Sequence, residues 1–147
     1  MKIALFQPEI AVNVGNIIRS CACFGSDLHI IEPCGFPFDI NKIKKSALDY
    51  YNLVNIERHN SFSDFFTNEI VNKKHRLILA TTKSNQNIKD FTFLENDIVL
   101  FGQESSGVPT EIRDKCHDQI NIKIKNNTRS LNLAISCGIV LYHTTSA

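Results

Sequence analysis

The chain has 147 residues, of which 43% are hydrophobic and 21% charged, and a formal net charge of +1. That size suits one domain, residues 1–147, able to bury a core without disulfide or metal staples. No apolar run approaches the ~18 residues of a membrane span, and Ile3-Ala4-Leu5-Phe6 is too short for a signal-peptide core, so secretion is not expected. The near-neutral charge neither requires nor excludes a nucleic-acid partner, because a local basic patch can act on a neutral protein. Lys42, Lys44, Lys45, Lys73, Lys74, Arg76, Lys123, Lys125 and Arg129 are the candidates for such a patch. Cys21, Cys23, Cys34, Cys116 and Cys137 are odd in number and contain no Cys-x-x-Cys, which argues for free thiols in a reducing cytoplasm rather than a disulfide framework or a zinc ribbon.

Short apolar runs alternate with helical stretches. Ile3 to Phe6 reads as a buried strand, Asn13 to Phe24 as a helix stopped by Gly25, and Leu28 to Ile31 as a second strand ended by Pro33. A helix over Asp39 to Leu48 and a strand over Leu53 to Ile56 follow. Ser61, with Asp64 three residues on, predicts a cap that opens a helix through Phe65, Phe66 and Ile70. Leu77–Ala80 and Ile98–Phe101 read as strands, and Pro109 suits the first turn of a helix to about Cys116. Ile120, Ile122 and Ile124 alternate with polar residues, as on a strand with one wet face. A final helix is predicted from about Arg129 to His143.

This alternation predicts an α/β fold, a mainly parallel sheet with helices on both faces. Ligands on such sheets bind beyond the carboxyl ends of strands, so the loops after Phe6, Ala80, Phe101 and Ile124 should carry the chemistry. On the final helix, Leu131, Ala134, Ile135, Gly138, Ile139 and Tyr142 form one stripe, while Leu133, Cys137, Val140 and Leu141 occupy the other faces. A helix apolar nearly all round is buried on more than one side, either within its own core or at a subunit interface.

Three segments can carry function. Asn13-Val14-Gly15-Asn16-Ile17-Ile18-Arg19 places an amide and a guanidinium one turn apart on a polar helix face, and arginine's planar fork suits phosphate. Phe101-Gly102-Gln103-Glu104-Ser105-Ser106-Gly107-Val108-Pro109 joins a strand to a helix. It lacks the Lys and Ser or Thr of a phosphate-cradling P-loop and the glycine triplet of dinucleotide folds, which leaves a glycine-bearing turn with one acidic side chain. Asn126-Asn127-Thr128-Arg129-Ser130-Leu131-Asn132-Leu133 is a polar loop opening the last helix, with Thr128 or Ser130 as its cap. Free N–H groups there would favour an anion such as an amino-acid carboxylate.

In this order, Asn-x-Gly-Asn-x-x-Arg, Phe-Gly-x-Glu-x-x-Gly-x-Pro and Arg-Ser-Leu-Asn-Leu resemble the motif set of the SPOUT-class RNA 2′-O-ribose methyltransferases. Gln7-Pro8-Glu9-Ile10 and Leu28-His29-Ile30-Ile31-Glu32-Pro33 resemble its TrmL- or YibK-like branch, which modifies the wobble nucleotide of leucine tRNAs.

The resemblance implies a carboxyl-terminal trefoil knot, a homodimer, and S-adenosylmethionine bound largely by backbone groups, with S-adenosylhomocysteine as product. It places cofactor contacts at Ala80, Thr81, Gly102, Glu104, Ile122, Ser130 and Leu131. RNA contacts fall at Asn16, Arg19 and Arg129, with the anticodon stem-loop as partner, and Asn132 braces the knot loop. Arg19 and Tyr142 are the expected catalytic residues, with no metal. The alternative is a SPOUT-like dimer that binds RNA or cofactor without catalysis. Departures from the pattern are Lys123 where proline is common, Lys125-Asn126-Asn127 in place of a proline-containing loop, His143 where Glu is common, and an early end at Ala147.

Overall fold

The computed structural model describes residues 1–126 and 128–145; Asn127 of the third segment, Ser146 and Ala147 lie outside the described residues. In chain order the elements are β1 (Lys2–Phe6), α1 (Ala11–Phe24), β2 (Asp27–Ile31), α2 (Ile40–Ala47), β3 (Ile56–His59), α3 (Phe62–Phe65), β4 (Leu77–Ala80), β5 (Ile98–Phe101), α4 (Thr110–Lys115), β6 (Asp118–Ile120) and α5 (Leu133–Thr145). A 3-10 segment, Leu48–Leu53, follows α2, and α3 runs on as a π-helical turn over Phe66–Asn72. The six strands form one sheet in the order β3-β2-β1-β5-β4-β6, and every pairing is parallel.

Parallel strands covered on both faces read as continuous apolar runs, and side chains alternate between the two layers. Ile3, Leu5, Leu28, Ile30, Ile78, Val99 and Phe101 face the layer of α1, α2 and α5. Ala4, Phe6, Ile31, Leu77, Leu79, Ile98 and Leu100 face Phe65, Ile70, Val108 and Ile112 on the other side. Helix α1 ends where glycine was expected to stop it: Gly25 has φ 68° and its N–H bonds to the Cys21 carbonyl. Gly15 allows α1 and α2 to approach closely, since a Cβ there would stand 1.6 Å from Ser46 Oγ. Ser61 caps α3 by accepting from the Asp64 N–H at 3.1 Å.

Several sequence expectations are corrected. The third strand is Ile56–His59, not Leu53–Ile56, because Leu53 ends the 3-10 segment and lies 71% exposed. Its buried anchor is a histidine, which apolar patterning overlooks. The last strand stops at Ile120; Asn121 makes only an isolated bridge to Asn87, and Ile122 and Ile124 leave the ladder. The final helix begins at Leu133 rather than near Arg129. Its cap is Asn132, whose Oδ1 accepts from the N–H groups of Ala134 and Ile135 at 2.8 and 3.2 Å. Thr128 instead turns its hydroxyl back on the Lys125 carbonyl.

The apolar faces of α5 divide. Leu133, Cys137, Val140 and Leu141 are buried against the core, whereas Ile135 (56%), Ile139 (37%) and Tyr142 (64%) are exposed.

Candidate functional site

The loop after β5 is folded by its own backbone. Gln103 and Gly107 exchange two N–H···O bonds of 2.9 Å each, and Gly107 closes the turn at φ 66°. A Cβ on Gly102 would lie 2.4 Å from the Gly107 carbonyl carbon, so only glycine fits there. This reverses the Glu104 side chain toward α1. Its Oε2 accepts from the Glu9 N–H at 2.9 Å, and its Oε1 accepts from the Ile10 N–H and from Asn13 Nδ2, both at 3.3 Å. Helix α1 has no cap from its own N-cap residue, Ile10; a carboxylate 91 to 95 positions away serves instead. The exchange is mutual, because Glu9 Oε1 accepts from the Ser105 N–H at 2.9 Å and from its hydroxyl at 2.7 Å. Those two donors hold the Glu9 carboxyl below its ordinary pKa.

Asn13 carries the connection onward. It is 5% exposed, and its Oδ1 accepts from Asn132 Nδ2 at 3.1 Å. Asn132 then caps α5 through its own Oδ1. The three sequence segments thus meet in one hydrogen-bond relay: Glu104, Asn13, Asn132, start of α5. Asn132 takes two of the N–H groups at that helix start that were expected to receive an anion, a correction to the simplest reading of the loop.

The loop after β4 is tied to β6. The Thr81 N–H bonds to the Ile120 carbonyl, the Ile88 N–H bonds to the Asn121 carbonyl, and Ser84 Oγ donates to the Gln119 carbonyl. Asn121 Nδ2 donates to the Ser84 carbonyl.

Between these loops and the start of α5 lies a cavity of about 910 Å³, within the usual range for small-molecule sites. Ala80, Thr81, Gly102, Glu104, Ile122, Ser130 and Leu131 all line it, as do Arg129 and Asn132. Among the lining residues to which the sequence reading gave no site role are Asn13 and Arg113. Asn13 was visible only as one polar residue in the first segment. Arg113, on α4, gave no pattern at all, yet its Nε is buried and without a hydrogen-bond partner among the described residues.

Asn16 lies apart, in a shallower groove between α1 and α5 with Ser20, Ala134 and Gly138. Arg19 is exposed, with its guanidinium carbon 5.4 Å from the centre of the Tyr50 ring. Tyr142 stands edge-on to Phe24 at 6.3 Å. Neither Arg19 nor Tyr142 lines the cavity of its own chain.

Residues 1–142 match the family profile described as SpoU rRNA Methylase family. A tRNA (cytidine(34)-2'-O)-methyltransferase of Beijerinckia indica is 40% identical over 139 residues, covering 95% of this chain and 86% of the relative. The protein of that name from Escherichia coli K12 is 35% identical over 144 residues, covering 97% and 90%. A solved structure described as giving structural insights into the 2-OH methylation of C/U34 on tRNA superposes with a TM-score of 0.90 at 34% identity, covering 96% of this chain and 91% of that one. The SpoU methyltransferase AviRb from Streptomyces viridochromogenes, in complex with AdoMet, has the same fold at a TM-score of 0.90 and 20% identity; it covers 99% of this chain and 57% of that one.

Proposed function

The chain belongs to the SpoU rRNA methylase family, and we propose that it moves a methyl group from S-adenosylmethionine to the 2′-hydroxyl of the wobble nucleotide, a cytidine or modified uridine, in the anticodon stem-loop of leucine tRNAs. The observation that carries this is one of assembly. All seven residues assigned to the cofactor by motif resemblance line a single cavity, in a chain that relatives named for this reaction match over nearly its whole length.

The cavity's make-up fits the cofactor. Its walls come from strand ends and loops whose backbone groups can meet an adenosine, as ligands do on parallel sheets. Apolar Ile122, Ile124 and Leu131 stand beside polar Thr81, Ser130 and Arg113. Arg113 and Arg129 are cations available to a carboxylate or phosphate. When bound, S-adenosylmethionine supplies a methyl group on a sulfonium, already a good leaving group, and the chemistry calls for no metal.

What remains is to hold the 2′-hydroxyl in line and to take its proton. Arg19 orients ribose and phosphate through its planar fork; it is no base, because guanidinium keeps its proton at neutral pH. The hydroxyl proton passes to phosphate, water or the Tyr142 phenol. Asn16 contacts the RNA beside Arg19.

The protein works as a homodimer, with RNA meeting both copies. The exposed apolar stripe of Ile135, Ile139 and Tyr142 on α5, with Val12 of α1 59% exposed, supports this reading. In that dimer, Arg19 of one copy serves the cavity of the other. In this reading the carboxyl end forms a trefoil knot that threads the final helix through a loop, and the enzyme resides in the cytoplasm with its tRNA.

The test is mass mapping of 2′-O-methylated nucleosides in tRNA with and without the protein, alongside transfer of tritium from labelled S-adenosylmethionine. Methyl gain at the wobble position of leucine tRNAs is expected. Binding of tRNA and cofactor with no transfer would leave the non-catalytic reading in its place.

A further inference from the structure

The sheet face opposite α1 and α5 carries a second cluster, remote from the relay described above. Strands β2 and β3 pair with His29 opposite Glu57, and His59 lies two residues beyond on the edge strand. Side chains two apart on a strand share a face. His29 is 1% exposed and His59 6%, while the Glu57 side chain is 38% exposed. The Phe65 ring walls the site, 5.6 Å from the His29 ring and 5.3 Å from that of His59.

Three electron-pair donors converge there. His29 Nδ1 lies 3.0 Å from His59 Nε2 and 3.9 Å from Glu57 Oε2, and the ligand atoms of all three residues fall within 4.8 Å of one another. Donors sharing a tetrahedral zinc-class ion at about 2.0–2.2 Å stand roughly 3.4 Å apart, a value between the two measured separations.

The protons argue the same way. His29 Nε2 faces Glu69 Oε2 at 3.8 Å, an oxygen that His75 Nδ1 at 3.3 Å and Lys2 Nζ at 4.0 Å also face, and neither His29 Nε2 nor Glu69 Oε2 has a hydrogen-bond partner among the described residues. A bare nitrogen would oppose a carboxylate lone pair, so the His29 hydrogen belongs on Nε2. Its Nδ1 is then a bare donor. One proton, on His59 Nε2, is left to serve His29 Nδ1, His59 Nε2 and the Glu57 oxygen together. A buried imidazole whose far N–H points at a carboxylate is also the usual support of a metal-bound histidine. Lys73 Nζ, 2.6 Å from Glu69 Oε1, balances the supporting carboxylate and leaves Glu57 as the anionic ligand.

We propose that His29 Nδ1, His59 Nε2 and the Glu57 carboxylate bind a borderline divalent transition ion of the zinc class, clipping edge strand β3 to β2. Two imidazoles and one carboxylate suit zinc rather than magnesium or calcium. The ion takes the place of the proton on His59 Nε2, which moves to Nδ1, so no net proton is released. Solvent on the exposed side of Glu57 supplies the remaining position. The site is independent of the methyl-transfer reading.

Calorimetric titration of the metal-free full chain with zinc chloride, repeated with cobalt(II) followed by its visible absorption, tests this. One equivalent should bind and raise the Tm saturably. Removing even an outer partner of a metal ligand costs roughly 10–100-fold in affinity, so His59→Gln and Glu57→Gln should each cost at least about 100-fold. If His59→Gln does not fold, the half-buried Glu57→Gln decides. No saturable binding by the wild type would overturn the proposal. So would binding unchanged in Glu57→Gln, which would assign the ion to cysteines or histidines elsewhere.

Discussion

Asn132 Nδ2 donates to Asn13 Oδ1 at 3.1 Å, joining side chains 119 positions apart. Asn13 also donates to Glu104, and Asn132 also caps α5. Each amide therefore spends donor and acceptor on different elements, and α1, the loop after β5 and α5 are held in one register around the cavity. A leucine of similar size could fill either position but could not satisfy both neighbours.

Asn13→Ala and Asn132→Ala should each destabilise the chain by about 1–3 kcal/mol, the cost of a lost cap or of an unpaired polar group. Because they share a bond, the double variant should lose less than the two single losses combined, with a coupling of at least ~0.5 kcal/mol. Urea unfolding of the four proteins measures it. Simple additivity would mean that the relay carries no energy of its own.

Gly102→Ala should fold yet weaken S-adenosylmethionine binding at least about tenfold. The new Cβ would press on the Gly107 carbonyl carbon at 2.4 Å, and overpacking of this kind costs roughly 1–3 kcal/mol. The loop that carries Glu104 must then move. Calorimetry at constant circular dichroism checks this, and wild-type affinity would show that the loop yields without disturbing the cavity.

The parallel sheet and its helices were legible because apolar runs and glycine or proline punctuation act locally. Strand β5, with Ile98 to Phe101 all buried, reads directly from its composition. The three site segments were legible by residue type and order. Their joinery was not. Nothing near Ile10 announces that Glu104 caps its helix, and nothing near Leu133 shows that Asn132, rather than Thr128 or Ser130, caps α5. The Glu104 bonds to Glu9 and Asn13 and the Asn13–Asn132 bond span some 90 to 120 positions and leave no periodicity; the Asn132 cap is local, but Thr128 and Ser130 competed for it by residue type. His59 was missed for a related reason, since its partner His29 lies on another strand, and Arg113 because a buried Nε without a hydrogen-bond partner among the described residues leaves no mark in the sequence.

The thiols should behave as structural rather than reactive groups. Burial pushes Cys21 and Cys116 up to about 12 and Cys34 up to about 11, and it holds Cys137 well above the ordinary thiol range. These four stay protonated at pH 8, and the thiolate is the reactive form. Cys23 is exposed. Iodoacetamide at pH 8 should therefore label the native chain mainly at Cys23 and all five cysteines only after denaturation. Peptide mass mapping reads the sites, and fast native labelling of Cys21 or Cys116 would contradict the buried environments.

Arg19 gives the sharpest test of the dimeric reading. The residue is exposed and packs over Tyr50, so Arg19→Ala opens no core cavity and should cost under about 0.5 kcal/mol in stability. Cofactor affinity should hold while methyl transfer is lost. Arg19→Lys keeps the charge but not the bidentate fork, so it should stay poorly active; near wild-type activity would show that a point charge suffices. Since Arg19 does not line its own cavity, mixing two defective proteins asks whose cavity it serves. Arg19→Ala retains an intact cavity and Gly102→Ala an intact arginine, and the assay is run at a cofactor concentration that fills the intact cavity but not the Gly102→Ala one. After subunit exchange, half of a random population is heterodimeric. If arginine and cavity come from different copies, each heterodimer holds one complete site and one doubly defective site. Activity should then return to about a quarter of wild type. If both come from the same copy, every site keeps a defect and the mixture stays as inactive as its components. A failure to mix, shown by sedimentation of only monomers at micromolar concentration, would remove the homodimer itself.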